Sequence, residues 1–157
     1  MSIAEIKRID PKSFNDLDAE CKNFWTVVQR AYETDKKIKC TSWTDQKVKN
    51  FIKSVALVER HDTVKNKIEI TECESNTIMF KVWGGNNVSR NFIRNLRDAS
   101  AHNLVEKDSK TGELHFQNWS KRNGKEKCTM NGRMKFDYLK QLVTILVPSI
   151  NFNTKNN

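Results

Sequence analysis

The sequence lacks any run of eighteen or more apolar residues, so nothing in it predicts a membrane-spanning helix. Its first residues, Met1 to Glu5, lack the charged and apolar segments of a secretory signal. The four cysteines include no Cys-x-x-Cys pair, and the three histidines are equally scattered, so zinc-type spacing is absent. We therefore expect a cytoplasmic protein with reduced thiols that needs no metal, no cofactor and no membrane.

The balance of charge is strongly basic. Lysine and arginine number 28 against 19 aspartates and glutamates, for a net charge of +9. Such a charge in a small chain favours a polyanionic partner such as RNA, although it also serves solubility. A chain of 157 residues suits one domain. We predict a single domain over 1–150 and a polar tail over 151–157.

Outside the central part of the chain, three segments have apolar residues at the spacing of a helix. The first runs from about Pro11 to Tyr32, with Asp10 as its cap and proline at its first position. The second runs from about Thr44 to Arg60. The last, about Asp137 to Val147, stops before a proline.

Strand signals lie on both sides of the central helix described below. The segment 63–83 favours two short strands, with a packed helix as the alternative. After residue 103, three dipeptides that end in glycine predict turns: Thr111-Gly112, Asn123-Gly124 and Asn131-Gly132. They separate the short runs 104–107, 114–119 and 125–130 from one another and from the last helix. We predict a mainly α fold, a helical bundle of four or more helices with short β-hairpin elements after the central helix.

The most informative stretch is residues 90–103, which form an amphipathic helix when wound at about 100° per residue. Phe92, Ile93, Leu96 and Ala99 gather on one side. The opposite arc carries three arginines, an aspartate and a histidine, which together make an anion site. Arg94, Asp98 and His102 follow one ridge, and Arg97 and Arg90 stand beside it. The alternative is a solvated face with a structural histidine.

The run Ile93-Arg94-Asn95-Leu96-Arg97-Asp98-Ala99-Ser100-Ala101-His102-Asn103 closely resembles the motif helix of the HEPN superfamily, with its R-x4-H pattern and an acidic residue after the arginine. The resemblance covers about Val88 to Val147. HEPN domains are small and mainly helical, and many are metal-independent endoribonucleases. The resemblance therefore implies a HEPN-like domain that cleaves RNA to a 2′,3′-cyclic phosphate.

The chemistry of such cleavage assigns roles to the polar residues of the helix. His102 would act as general base or acid, because an imidazole exchanges protons near neutral pH. Arg97 would hold the phosphate and stabilise its growing charge. Asp98 would orient the histidine or an arginine. The residues expected to bind substrate are Arg90, Arg94, Asn95, Asn103, Lys121 and Arg122. Trp119, beside the last two, could stack a base, although a strand-end tryptophan more often packs on its own domain.

A single copy of the helix makes a poor clamp, because Arg97 and His102 project about 140° apart. A homodimer that brings two helices together at the small Ala101 would place one arginine opposite the partner's histidine. HEPN ribonucleases typically build their cleft this way.

The resemblance also implies a toxin or phage-defence role, with an antitoxin or a larger defence system as partner. Many HEPN toxins carry a tyrosine two residues after the histidine, where AMP is attached. This chain has Leu104 there, so that control mechanism is not expected. The competing hypothesis is a non-catalytic dimeric domain that binds RNA or a nucleotide.

Overall fold

The computed structural model describes residues 5–34, 38–83 and 87–153. A 3-10 helix, Pro11–Asp16, precedes four α-helices: α1 (Ala19–Thr34), α2 (Gln46–Ser54), α3 (Val88–Ala101) and α4 (Phe136–Leu146). The five strands are β1 (Val58–His61), β2 (Thr77–Phe80), β3 (Val105–Lys107), β4 (Leu114–Arg122) and β5 (Lys125–Met134). No helix within these described ranges is long and apolar enough to cross a bilayer.

All five strands form one mixed sheet in the order β1-β2-β5-β4-β3. The pair β1–β2 is parallel, and the other pairs are antiparallel. The long hairpin β4–β5 turns at Asn123 and Gly124, whose φ angles of 52° and 76° suit the two-residue turn that the sequence predicts. The turn at Gly112, with φ 75°, is also as predicted.

The predicted mainly α helical bundle is therefore wrong, because a five-stranded mixed sheet lies at the centre of the fold. Strand β1 was not predicted, and β5 was predicted to end too early, at Met130. The end of the predicted second helix is instead β1, since α2 stops at Ser54 and Ala56 takes a positive φ of 54°. The predicted turn at Asn131-Gly132 lies inside β5, where both residues are buried.

Side-chain contacts explain why Asn131 and Gly132 sit within a strand. Asn131 Oδ1 accepts from His115 Nε2 at 2.8 Å, and Asn131 Nδ2 donates to the Thr71 carbonyl at 2.8 Å. Gly132 pairs with Phe116 across the hairpin, and the absence of a side chain leaves room for that ring. These contacts involve residues distant in sequence, so a local turn signal could not reveal them.

The predicted first helix is interrupted. The chain is extended at Leu17 (φ −70°, ψ 147°), and Asp18 then accepts from the Cys21 amide at 2.8 Å. A new helix therefore begins at Ala19. Of the two strands predicted in 63–83, only β2 forms.

The four helices pack on one face of the sheet. Ile78, Phe80, Phe116, Met130 and Met134 point from the strands into this main core. Ile70, Cys73, Met79 and Cys128 form a smaller cluster that also includes the half-buried Ile6, Ile68 and Trp119. A β-bulge between β4 and β5 leaves Thr129 unpaired, between Met130 opposite Asn118 and Cys128 opposite Trp119.

We expect Gly132→Ala to lower the free energy of unfolding by about 1–3 kcal/mol, because overpacking a buried site has that cost. A Cβ there would lie 2.5 Å from Phe116 Cε2. Urea denaturation measures the loss. In a Phe116→Leu background the same substitution should cost less, since the ring that it meets is gone. Equal costs in both backgrounds would contradict this packing.

Candidate nucleic-acid interface

Helix α3 carries the predicted motif, and its sides divide as the sequence predicts except at Asn95, which was expected to bind substrate and is fully buried. The Asn87 side chain caps its start by accepting from the Arg90 amide at 2.9 Å. The predicted apolar stripe is buried against α1 and the sheet (Phe92, Ile93, Leu96 and Ala99). The burial of this stripe fixes the rotation of the helix and leaves Arg94 and His102 exposed.

The end of α3 is a Schellman motif. The Leu104 amide donates to the Ala99 carbonyl at 2.9 Å, and the Asn103 amide donates to the Ser100 carbonyl at 3.1 Å. Asn103 takes the left-handed conformation, with φ 58°. Leu104 is fully buried. The motif therefore ends the helix at Ala101 and holds His102 as the exposed C-cap residue.

A groove of about 640 Å³ runs beside this helix end. Arg94, Asp98 and His102 line it together, as their spacing on one ridge predicts. The remaining lining residues come from the N-terminal segment (Arg8), from the segment that follows β2 (Trp83) and from the β4–β5 hairpin (Asn118, Trp119, Ser120, Lys121 and Glu126).

The charges of the groove are partly neutralised within the chain. Arg8 Nη1 lies 2.6 Å from Glu126 Oε2, and both side chains are nearly half exposed. The Arg94 guanidinium stacks over Trp83, with its Cζ 5.3 Å from the ring centre. Within the described residues, Arg94 and Lys121 form no ion pair. These two cations are therefore available to an anion.

A network of buried polar side chains lies beneath the groove, and Asn118 and Asp98 connect it to the groove wall. Asn95 Oδ1 accepts from Asn118 Nδ2 at 3.0 Å and from Thr129 Oγ1 at 3.2 Å. Asn95 Nδ2 donates to the Asn91 carbonyl at 2.9 Å. Asn118 also donates to Asp98 Oδ2 at 3.4 Å. The β-bulge turns the Thr129 hydroxyl toward α3, so the network connects the helix to both strands of the hairpin.

Arg97 lies outside the groove. Its guanidinium stacks on Tyr32 of α1, with 4.9 Å from Cζ to the ring centre, and Arg90 reaches the same ring at 5.9 Å. Arg97 Nε is 2.6 Å from Asp98 Oδ1, but its N–H does not point along a hydrogen bond. One chain therefore does not bring Arg97 and His102 together, as their angular separation predicts.

The other predicted site residues divide into three groups. Asn95 is fully buried and bonds to the protein itself, so its side chain does not face the groove. Asn103 is exposed at the helix end, and Lys121 lines the groove. The backbone of Arg122 ends β4, but its side chain lies outside what the structure describes.

Sequence reasoning did not select Arg8, Trp83 or Asn118. Arg8 lies far from α3 in sequence, whereas Trp83 lies only five residues before the helix, and the fold brings both to its polar ridge. Asn118 follows Leu114 and Phe116 at two-residue spacing in β4, and this spacing was the local signal that it shares their inward face.

The thiols near this region are poor nucleophiles. Burial raises the pKa of Cys73 and of Cys128 to about 12 each, so both stay protonated at neutral pH. Across residues 5–34, 38–83 and 87–153, no three His, Cys, Asp or Glu side chains come together as a metal-binding group. The groove's own titratable groups are Asp98, His102, Lys121 and Glu126.

The chain matches no protein-family model, no curated protein and no solved structure.

We expect Asn95→Ala to lower the free energy of unfolding by about 1–3 kcal/mol, because Asn118 and Thr129 lose a buried acceptor. Urea denaturation measures this loss. The matched control is Asn50→Ala, an exposed asparagine on α2, for which surface substitutions predict a change within about 0.5 kcal/mol. Equal effects at the two positions would contradict the role of the network.

At Asn103, the left-handed backbone predicts opposite results for two small residues. Asn103→Gly should leave stability nearly unchanged, whereas Asn103→Ala should lower it by about 1 kcal/mol, the cost of that conformation for a residue with a Cβ. Thermal denaturation compares the two variants. A loss of RNA affinity in the stable Asn103→Gly variant would show instead that the amide contacts the ligand.

Proposed function

We propose that the protein is a metal-independent endoribonuclease that acts as a homodimer. The observation that carries the proposal is the groove that contains Arg94, Asp98 and His102 together with Lys121, between Trp83 and Trp119. Cations beside aromatic rings are the usual means by which a protein binds single-stranded nucleic acid. The resemblance of residues 93–103 to the HEPN motif helix supports the same reaction, although the helical-bundle fold expected from it is absent.

His102 is the group in this groove best suited to proton transfer. Its imidazole is exposed at the helix end, within the groove. In the proposed reaction, a base takes the proton of the ribose 2′-hydroxyl, and that oxygen attacks the adjacent phosphorus. The bond to the 5′-oxygen breaks, and an acid returns a proton to this leaving group. The products are a 2′,3′-cyclic phosphate and a 5′-hydroxyl.

In the proposed dimer, each protomer supplies Arg97 to the groove of the other, since Arg97 does not line the groove of its own chain. Arg97 stands on the neighbouring side of α3 with about a quarter of its side chain exposed. Ala101 lies between the two sides and is exposed, so a second copy of the helix can approach closely. In the proposed arrangement, the Arg97 of one protomer stabilises the phosphate charge in the groove of the other. The described residues specify no toxin or phage-defence role, so the proposal stops at the reaction.

One observation favours the second candidate, a non-catalytic dimeric domain that binds RNA or a nucleotide. Arg97 is already engaged by the Tyr32 ring and the Asp98 carboxylate. An arginine held in this way can stabilise the fold without taking part in any reaction. The two candidates differ in whether the groove cuts the RNA that it binds.

We expect His102→Ala to lower the cleavage rate of single-stranded RNA by about a hundred- to ten-thousand-fold, the usual contribution of a positioned acid or base. RNA affinity should change little. Arg97→Ala should also abolish cleavage, and the wild type should stay active in excess chelator. The matched control is Arg60→Ala, an exposed arginine on β1. Cleavage is measured on labelled RNA, and affinity by fluorescence anisotropy.

Mixing the two inactive variants tests the composite site. A dimer of one His102→Ala and one Arg97→Ala protomer keeps one groove with both groups, so the mixture should regain part of the activity. If both groups act within one chain, no activity returns. A monomer in sedimentation experiments would contradict the proposed dimer. A wild type that binds RNA but never cuts it would establish the second candidate.

A further inference from the structure

Trp119 separates two cavities. One is the groove already described, and the other is a cavity of about 660 Å³. The indole N–H donates to Gln117 Oε1 at 3.0 Å, which fixes the ring, and the ring is half-buried. Glu126 is the one further residue that lines both spaces, so they adjoin at this point. A ligand in the groove can therefore extend past the ring.

The two cavities differ in what their walls offer. The second is lined by Ile6, Ile68, Ile70 and Cys128 around the indole. Its other lining residues are Glu5, Glu69, Lys81, Glu126 and Lys127. Lys81 is held by the Asp62 carboxylate and by the Ile68 carbonyl, so its charge is satisfied within the protein. Among the described residues that line this cavity, Lys127 is then the cation that remains beside the three glutamates.

This distribution of charge decides which part of a nucleotide each cavity can accept. A phosphate would meet Arg94 and Lys121 in the groove, whereas it would meet Glu5 and Glu69 in the second cavity. An uncharged base suits apolar walls and an aromatic face, and carboxylates at the rim can accept from an exocyclic amine.

We propose that the second cavity receives an unpaired base of the RNA whose phosphates lie in the groove, with the base stacked on Trp119. This inference rests on the proposed function and specifies its substrate class. The ligand is single-stranded, since a base held in a duplex cannot leave its stack to reach the indole without loss of pairing. Arg8 is positioned to close over the stacked base, because its guanidinium lies 6.0 Å from the Trp119 ring while it pairs with Glu126.

The experiment measures the affinity of the full chain for three probes by fluorescence anisotropy. The first is a labelled single-stranded oligomer of 2′-O-methylcytidine, whose bases carry an exocyclic amine and whose riboses have no free 2′-hydroxyl, so that it is not cleaved. The second is the same oligomer in a duplex, and the third is an abasic ribose phosphate of equal length. We expect the wild type to bind the first probe most tightly. Trp119→Leu should weaken this binding by about five- to a hundredfold, the range for loss of one stacking ring.

Trp119→Phe is the matched control, because it keeps a ring and should retain most of the affinity. Arg94→Ala should weaken all three probes, whereas Trp119→Leu should leave the abasic probe unaffected. The fluorescence of Trp119 provides a second measurement. It compares the wild type with Trp119→Phe and does not require Trp119→Leu to fold. Stacking should quench a component of the wild-type emission that is missing in Trp119→Phe.

The outcomes separate the two proposals. If Arg94→Ala weakens binding but Trp119→Leu does not, and no Trp119 quenching occurs, the groove binds RNA and the base site is refuted. Equal affinity for the oligomer and the abasic probe would refute it as well. If the wild type binds none of the probes, the proposed function fails together with the base site.

Discussion

The buried hydrogen bonds of Asn95 hold the candidate site together. Its side-chain oxygen accepts from Asn118 and Thr129, and thereby connects α3 to the two long strands of the sheet. A polar group of this kind is costly to bury without partners, so helix and hairpin must keep one relative position for all of its bonds to form. The groove exists because this position places the ridge of α3 beside the end of the β4–β5 hairpin.

Two further features determine which charged or titratable side chains of α3 face that groove. The Schellman motif ends the helix at Ala101, so that His102 is its exposed C-cap residue. The ion pair of Arg97 with Asp98 and its stacking on Tyr32 direct this guanidinium away from the groove. A single chain therefore presents His102 with the cations Arg94 and Lys121 in its groove, whereas Arg97 lies outside it and would enter a groove only in the proposed dimer.

Local patterns in the sequence predicted the parts of the structure that depend on neighbouring residues. The apolar stripe and polar ridge of α3, the turn at Asn123-Gly124 and helix α4 follow from spacing, turn chemistry and a following proline. The sheet as a whole was missed, since the order of its strands depends on contacts distant in sequence. Asn131-Gly132 shows the reason. The pair has the composition of a turn, but His115, Thr71 and Phe116 provide the contacts that keep it in a strand. The burial of Asn95 was hidden for the same reason.

We propose that RNA binds in the groove between α3 and the β4–β5 hairpin. The most direct test is an NMR titration of the ¹⁵N-labelled protein with a short single-stranded RNA that cannot be cleaved. We expect the amide shifts of Arg94, Asp98, His102 and residues 118–121 to change together. The amide shifts of the exposed face of α2 should not change. Shifts confined to another surface, or no shifts at an RNA concentration that saturates binding, would contradict it.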